Sequence, residues 1–148
     1  MAAQPIPDGF NTISPYMAVK DAHGLIEFLK KAFHSKVEVH EAPDGTVVNA
    51  MATVGNSMVL IGQAPKDRPD SDLMPAMLYL YVEDADDWYR RAIAAGAQSI
   101  REPADQVYGD RVGAVRDLAN NQWWFATHKE DMSSEELTRR VMERRKQT

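Results

Sequence analysis

Two stretches decide the fold of this chain, PYMAVKDAHGLIEFLKKAF at residues 15–33 and LYLYVEDADDWYRRAIAAG at residues 78–96. Laid over one another, they align Tyr16 with Tyr79 and Asp21 with Asp84. Each stretch begins with the alternation typical of a strand and continues with apolar residues at helical spacing. The two aspartates stand where a helix would begin, and a carboxylate there can cap the first turn. The chain is therefore predicted to repeat a strand–helix unit.

Three strand-like runs follow each predicted helix. In the first half they are KVEVHEA, TVVNAMATV and SMVLIG, and in the second half AQSIREP, RVGAVRD and QWWFATH. Turn sequences such as Pro43-Asp44-Gly45 separate them. Each half is thus predicted to be a βαβββ module, the first over residues 9–62 and the second over residues 77–129.

The rest of the chain connects or follows these modules. Residues 63–76 are rich in proline and aspartate and are predicted to be a linker loop. Ser133 and Glu136 form a capping box, which predicts a C-terminal helix over residues 133–146. The expected fold is a single α+β domain over residues 1–148.

Composition excludes several classes of function. The 148 residues carry a net charge of −5, which argues against a partner such as nucleic acid. No apolar run is long enough to span a membrane, and the N-terminus lacks the features of a signal peptide. The chain contains no cysteine, which excludes disulfides, thiolate metal sites and a cysteine nucleophile. We expect a cytoplasmic protein.

Strand parity assigns side chains to a helix-covered face or an open face of each sheet. The helix-covered sets are expected to be Ile13, Pro15, Met17 and Val19; Val48, Ala50, Ala52 and Val54; and Leu78, Leu80 and Val82. The open faces are then left with Ser14, Tyr16, Asn49, Met51, Met77, Tyr79, Tyr81 and one of the two adjacent tryptophans. Such a face is typical of a small-molecule pocket, and the alternative is a surface buried between modules or subunits.

The whole pattern resembles the vicinal oxygen chelate superfamily, which comprises glyoxalases, bleomycin resistance proteins and dioxygenases, and within it the PhnB-like group. The stretches that carry the resemblance are the two repeats above and YGDRVGAVRDLANNQWWFATHKED at residues 108–131. The resemblance implies that the paired modules form a half-open, eight-stranded mixed sheet around a cleft, followed by the C-terminal helix. It also implies a homodimer.

The resemblance places four metal-ligand positions at Ser14, at Val59 (Leu60 if the register shifts by one), at Met77 and at Trp124. None is the imidazole or carboxylate that such a site needs, so we expect no metal and no cofactor. The same mapping puts Trp124 on the cleft side and Trp123 under the helices. At the cleft rim, Asp110 and Arg111 enter the seventh strand. Arg111 is expected either to bind an anionic group of a ligand or to pair with Asp110 or Asp105.

Two functions fit these residues. One is a metal-free cleft that binds a small, aromatic molecule, lined by the open-face set with Asp110, Arg111 and Trp124. The other is a metal-independent lyase, isomerase or dioxygenase-like enzyme that uses Tyr79, Tyr81, His40, Asp110 or Arg111 as acid, base or oxyanion donor. A third interpretation is a structural dimer without a ligand. No catalytic residue can be assigned from the sequence.

Overall fold

The computed structural model describes residues 2–148 as eight strands, three α-helices and one short 3₁₀ helix. The first module contains β1 (Tyr16–Val19), α1 (Ala22–Phe33), β2 (Val37–Glu41), β3 (Val47–Val54) and β4 (Ser57–Gln63). A segment with the 3₁₀ helix Asp70–Asp72 leads to β5 (Met77–Tyr81), α2 (Ala85–Ala94), β6 (Gln98–Asp105), β7 (Asp110–Arg116) and β8 (Gln122–His128), and α3 (Ser134–Gln147) ends the chain.

The expected pair of βαβββ modules is confirmed. The first sheet has the strand order β1-β4-β3-β2, and the second sheet has the equivalent order β5-β8-β7-β6. In each sheet the first strand pairs in parallel with the fourth, and the other pairs are antiparallel. The first strand of each module is therefore an edge strand. No helix among residues 2–148 is long and apolar enough to cross a membrane.

The helices begin at the residues that the repeat indicates. The Asp21 carboxylate accepts a hydrogen bond from the Gly24 amide at 2.9 Å, and Asp84 accepts from the Asp87 amide at 3.1 Å. Ser133 caps α3 by accepting from the Glu136 amide at 3.1 Å. Each cap satisfies a backbone N–H that has no partner inside the helix.

One apolar core joins the two modules. Phe33, the last residue of α1, stacks on Trp88 of α2 with ring centroids 5.2 Å apart. It also contacts Trp123 and Phe125 of β8 at 5.0 and 5.7 Å. Trp123 is completely buried, as predicted for the helix-covered tryptophan. This aromatic cluster ties the first helix to the second sheet.

Two predicted helix-side positions are wrong. Val48 is 60% exposed, and its neighbour Val47 is buried instead. A β-bulge shifts the pairing between β2 and β3 so that Glu41 faces Val47, and the extra residue reverses the parity at the start of β3. Ile13 is also exposed, because it precedes β1 and is not held by sheet pairing.

Candidate functional site

The open face of the second sheet carries the aromatic residues predicted for the cleft. Met77, Tyr79 and Tyr81 alternate along β5 with the half-buried Leu78 and Leu80, and all three are exposed. Tyr79 pairs with Trp124 in the parallel register of β5 and β8, so the two side chains project from the same face. Strand parity therefore places these side chains where the sequence predicted.

Trp124 is held by two polar neighbours on this face. Its indole Nε1 donates a hydrogen bond to Gln122 Oε1 at 3.0 Å. The guanidinium carbon of Arg101, in β6, lies 5.6 Å from the centroid of the indole ring, within cation–π range. The half-buried indole thus has a defined orientation and still presents apolar surface to solvent.

A polar cluster, the Asp110 cluster, occupies the other end of the same face and consists of Tyr79, Tyr81, Asp110 and His128. The Asp110 side chain is 4% exposed. Its Oδ2 accepts from the hydroxyls of Tyr79 at 3.3 Å and Tyr81 at 3.0 Å, and its Oδ1 lies 2.8 Å from His128 Nδ1. The cluster joins an edge strand to the β7–β8 pair and satisfies a buried carboxylate.

Electrostatics favour neutral tyrosines and a cationic histidine in the Asp110 cluster. The pKa of His128 is raised because its ring nitrogens are hydrogen-bonded to Asp131, at 2.7 Å, and to Asp110. Burial and the nearby Tyr108 raise the pKa of Tyr79, and the hydrogen bond to Asp110 raises that of Tyr81. The two phenols therefore act as hydrogen-bond donors to Asp110 and are poorly suited to serve as bases.

Arg111 lies on the opposite face of the second sheet, which corrects its expected place at the cleft. Since Asp110 points to the open face, its neighbour points toward α2. Arg111 forms two hydrogen bonds to the Asp86 carboxylate, at 2.8 and 3.1 Å, and a third to Asp105 at 3.3 Å. The expected pairing with Asp105 is therefore present, and that with Asp86 was not foreseen. These contacts lower the pKa of Asp86 and occupy the guanidinium.

The predicted site residues of the first module lie on the other sheet. Tyr16 is exposed and packs over Gly62, where a Cβ would lie 2.0 Å from the tyrosine hydroxyl. Asn49 and Met51 are half-buried in β3, and Ser14 precedes β1. Met51 lines a separate groove of about 450 Å³ beside the N-terminal residues 7–10. The predicted set thus falls into two groups, one on each sheet.

The four positions equivalent to metal ligands do not fit a divalent cation. Val59 is buried on the helix-covered face, while Leu60 pairs with Tyr16 and shares its open face, so of the two alternatives only Leu60 faces the open side. The positions are then Ser14, Leu60, Met77 and Trp124, which offer a single hydroxyl and no imidazole or carboxylate. Across residues 2–148, no three or more His, Asp or Glu side chains are grouped to hold a metal ion.

A cavity of about 760 Å³ lies where the two modules meet. One wall is the edge strand β5, and the other is the β3–β4 turn with Ile13 and Pro15. Trp88 and Trp123 also line it, and of the predicted set Tyr79 and Tyr81 do. Its volume is in the range of about 300–1,000 Å³ that is usual for small-molecule sites.

Sequence reasoning missed the polar residues that surround the predicted aromatics. His128 was placed only at the end of the last strand, yet it pairs with Asp110 across β7 and β8. Arg101 and Gln122 were not singled out. The hairpin register could have indicated His128, since residues paired across an antiparallel ladder share a face. The face of β6 on which Arg101 lies could not be predicted, because the pairing of β6 shifts register once before Arg101 and once after it.

Comparisons with known proteins agree with this architecture. The model of the Glyoxalase/Bleomycin resistance protein/Dioxygenase superfamily matches residues 9–125. An uncharacterized protein of Mycobacterium bovis is 29% identical over 135 residues, which cover 84% of this chain and 88% of that protein. The crystal structure of TioX from Micromonospora sp. ML1 superposes with a TM-score of 0.68 at 23% identity, covering 80% of this chain and 98% of TioX.

The fosfomycin resistance protein FosX from Mesorhizobium loti has the same fold, with a TM-score of 0.57 at 18% identity over 79% of this chain and 91% of FosX. The likeness to these solved structures concerns the fold alone. The family model, in contrast, spans most of the chain, from the N-terminal segment to Phe125 in β8. The chain belongs to the glyoxalase/bleomycin resistance protein/dioxygenase superfamily.

Proposed function

We propose that this protein binds a small aromatic molecule at the open face of the second sheet, without a divalent metal ion. The observation that carries the proposal is the oriented Trp124, which has exposed Met77 and Tyr79 beside it on β5. Large exposed apolar side chains grouped with a few polar groups are typical of ligand sites. The replacement of all four metal-ligand positions supports binding without a metal.

Replacing Trp124 by alanine tests this proposal. We expect the dissociation constant of a planar aromatic probe, 2-naphthamide, to rise by at least about thirtyfold, because a tryptophan that anchors a ligand contributes roughly 2 kcal/mol or more. Isothermal titration calorimetry measures the change. Leu118→Ala, an exposed apolar truncation in the β7–β8 turn, serves as the control and should leave binding unchanged. Equal affinity in wild type and Trp124→Ala would contradict the proposal.

A metal-independent enzyme of the same superfamily is the second candidate. The observation that favours it is the Asp110 cluster, since a carboxylate hydrogen-bonded to a histidine is an arrangement suited to proton transfer. His40 lies exposed in β2 beside Glu38, so it is separate from this cluster. Turnover that falls in Asp110→Asn while binding is retained would distinguish an enzyme from a binding protein.

We also propose that the protein is a homodimer of the PhnB-like type. The chain exposes 9679 Å², whereas a compact monomer of its mass would expose about 7,600 Å². Met74 and Ile13 are strongly exposed, and α3 contains no buried residue. A second copy could cover part of this surface.

Light scattering at micromolar concentration is expected to report twice the chain mass of 16.6 kDa. The physical reason is that a second copy could bury exposed apolar side chains such as Met74 and Ile13, and such burial drives association. A single-chain mass under these conditions would contradict the dimer. A dimer that binds no aromatic probe would favour a purely structural role instead.

A further inference from the structure

We infer that the aromatic ligand of the open face carries an anionic group, such as a carboxylate, and that Arg101 binds it above Trp124. This inference rests on the proposed function and adds the chemical class of the ligand. Arg101 takes over the role that the sequence suggested for Arg111, whose guanidinium is occupied by Asp86 and Asp105 on the other face.

Arg101 is exposed, and within residues 2–148 its guanidinium forms no hydrogen bond and no ion pair. Arg111, by contrast, forms ion pairs with two carboxylates, those of Asp86 and Asp105. The contact that Arg101 does make is with the ring of Trp124. A guanidinium held over an aromatic ring by a cation–π contact keeps its N–H donors free for bidentate binding of a carboxylate.

A second arginine reinforces the positive charge at this end of the face. Arg116 pairs with Gln122, which in turn pairs with Met77, so its side chain projects from the same face as Trp124. It too has no ion pair or hydrogen-bonded partner in the described chain. Asp110, whose carboxylate also lies on this face, is satisfied by two tyrosines and His128.

The positive charge around Trp124 is opposite in sign to the net charge of the chain. The protein as a whole carries a net charge of −5, yet the surface around Trp124 presents two arginines without a carboxylate partner. A locally positive surface of this kind attracts an anion. Together, the oriented indole and the free guanidinium match an aromatic ring that carries an acid group.

The test compares 2-naphthoate with 2-naphthamide, which have the same ring and differ in charge. We expect wild type to bind 2-naphthoate at least about tenfold more tightly, because charge-assisted hydrogen bonds are roughly twice as strong as neutral ones. Arg101→Gln should remove that preference, because it should lower the affinity for 2-naphthoate far more than the affinity for 2-naphthamide, which loses only the contact between Arg101 and Trp124. The exposed linker variant Arg68→Gln makes the same change in net charge far from the site, and should preserve the preference. Isothermal titration calorimetry measures all six affinities, two probes for each of the three proteins.

The outcomes distinguish failure of the role of Arg101 from failure of the aromatic site itself. The role of Arg101 would be overturned if wild type bound the two probes equally, or if the preference survived Arg101→Gln. In either case the aromatic site itself would still be supported if Trp124→Ala abolished binding. If neither probe binds wild type at millimolar concentration, the aromatic site and the inference built on it are both overturned. Circular dichroism and thermal unfolding serve to check that the Arg101→Gln variant is folded. Arg101→Lys should retain only part of the preference for 2-naphthoate, because an ammonium cannot bind a carboxylate through two donors in a fixed plane.

Discussion

Replacing Trp123 by alanine is expected to lower the free energy of unfolding by about 3–5 kcal/mol, the usual cost of emptying a buried aromatic site. Trp123 is fully buried against Phe33, the residue that joins α1 to the second sheet. Its indole Nε1 also donates a hydrogen bond of 2.8 Å to Asp117, which the shorter side chain would remove. Urea denaturation followed by circular dichroism measures the change.

Trp124→Ala is the matched control for this prediction. It removes the same side chain from the adjacent position, but from the open face, where the indole is half-buried and in contact with Arg101. The loss of stability should therefore be much smaller. If Trp123→Ala were mild and Trp124→Ala severe, the assignment of the two faces of β8 would be wrong.

Asp117 is expected to be nearly as sensitive, with a loss of about 3–5 kcal/mol in Asp117→Ala, because several N–H donors would lose their acceptor and each buried donor left unsatisfied costs roughly 1–3 kcal/mol. Asp117 is a buried residue, 4% exposed, and its carboxylate organises the turn between β7 and β8. It accepts hydrogen bonds from the backbone amides of Ala119 and Asn121 at 2.8 and 3.0 Å. It also accepts from the side-chain amide of Asn121 and from Trp123.

Asp117→Asn sharpens this prediction. Both oxygens of the carboxylate accept hydrogen bonds, and an amide group would place N–H donors opposite the donors of Asn121 or Trp123. The isosteric variant should therefore be strongly destabilised as well, when compared by urea denaturation. Asp44→Ala, which removes an exposed aspartate from the β2–β3 turn, is the control and should cost far less. A stable Asp117→Asn protein would show that the network is not essential to the turn.

These two residues illustrate which parts of the core could be predicted. That one of the two adjacent tryptophans is buried follows from strand parity, and the resemblance to the superfamily indicated that it is Trp123. The Asp117 network could not be anticipated, because aspartate near a turn is ordinary and its burial depends on the packing of Trp123 above it. The alternation along a strand predicts which face of the sheet a side chain lies on. Its contacts on that face depend on side chains from other parts of the chain.

In the candidate site, too, the face of a side chain could be predicted from the sequence, while its contacts could not. Met77, Tyr79 and Tyr81 project together because alternation along a strand is a local property of the backbone. The face of Arg111 follows from the same rule once Asp110 is placed, but its bond to Asp86 requires α2 to lie against that side of the second sheet. At Val47 and Val48 the rule failed, because a bulge adds a residue without any marker in the sequence.

By itself, the sequence determined the repeat, the helix starts at Asp21 and Asp84, and the alternating faces of most strands, since all of these depend on neighbours along the chain. Only the tertiary structure decided that Arg101 lies over Trp124 and that the Arg111 guanidinium pairs with Asp86. Each of these contacts joins side chains from different elements. Their formation depends on strand register and helix packing, which are set by the burial of the whole core and are not encoded in any single segment.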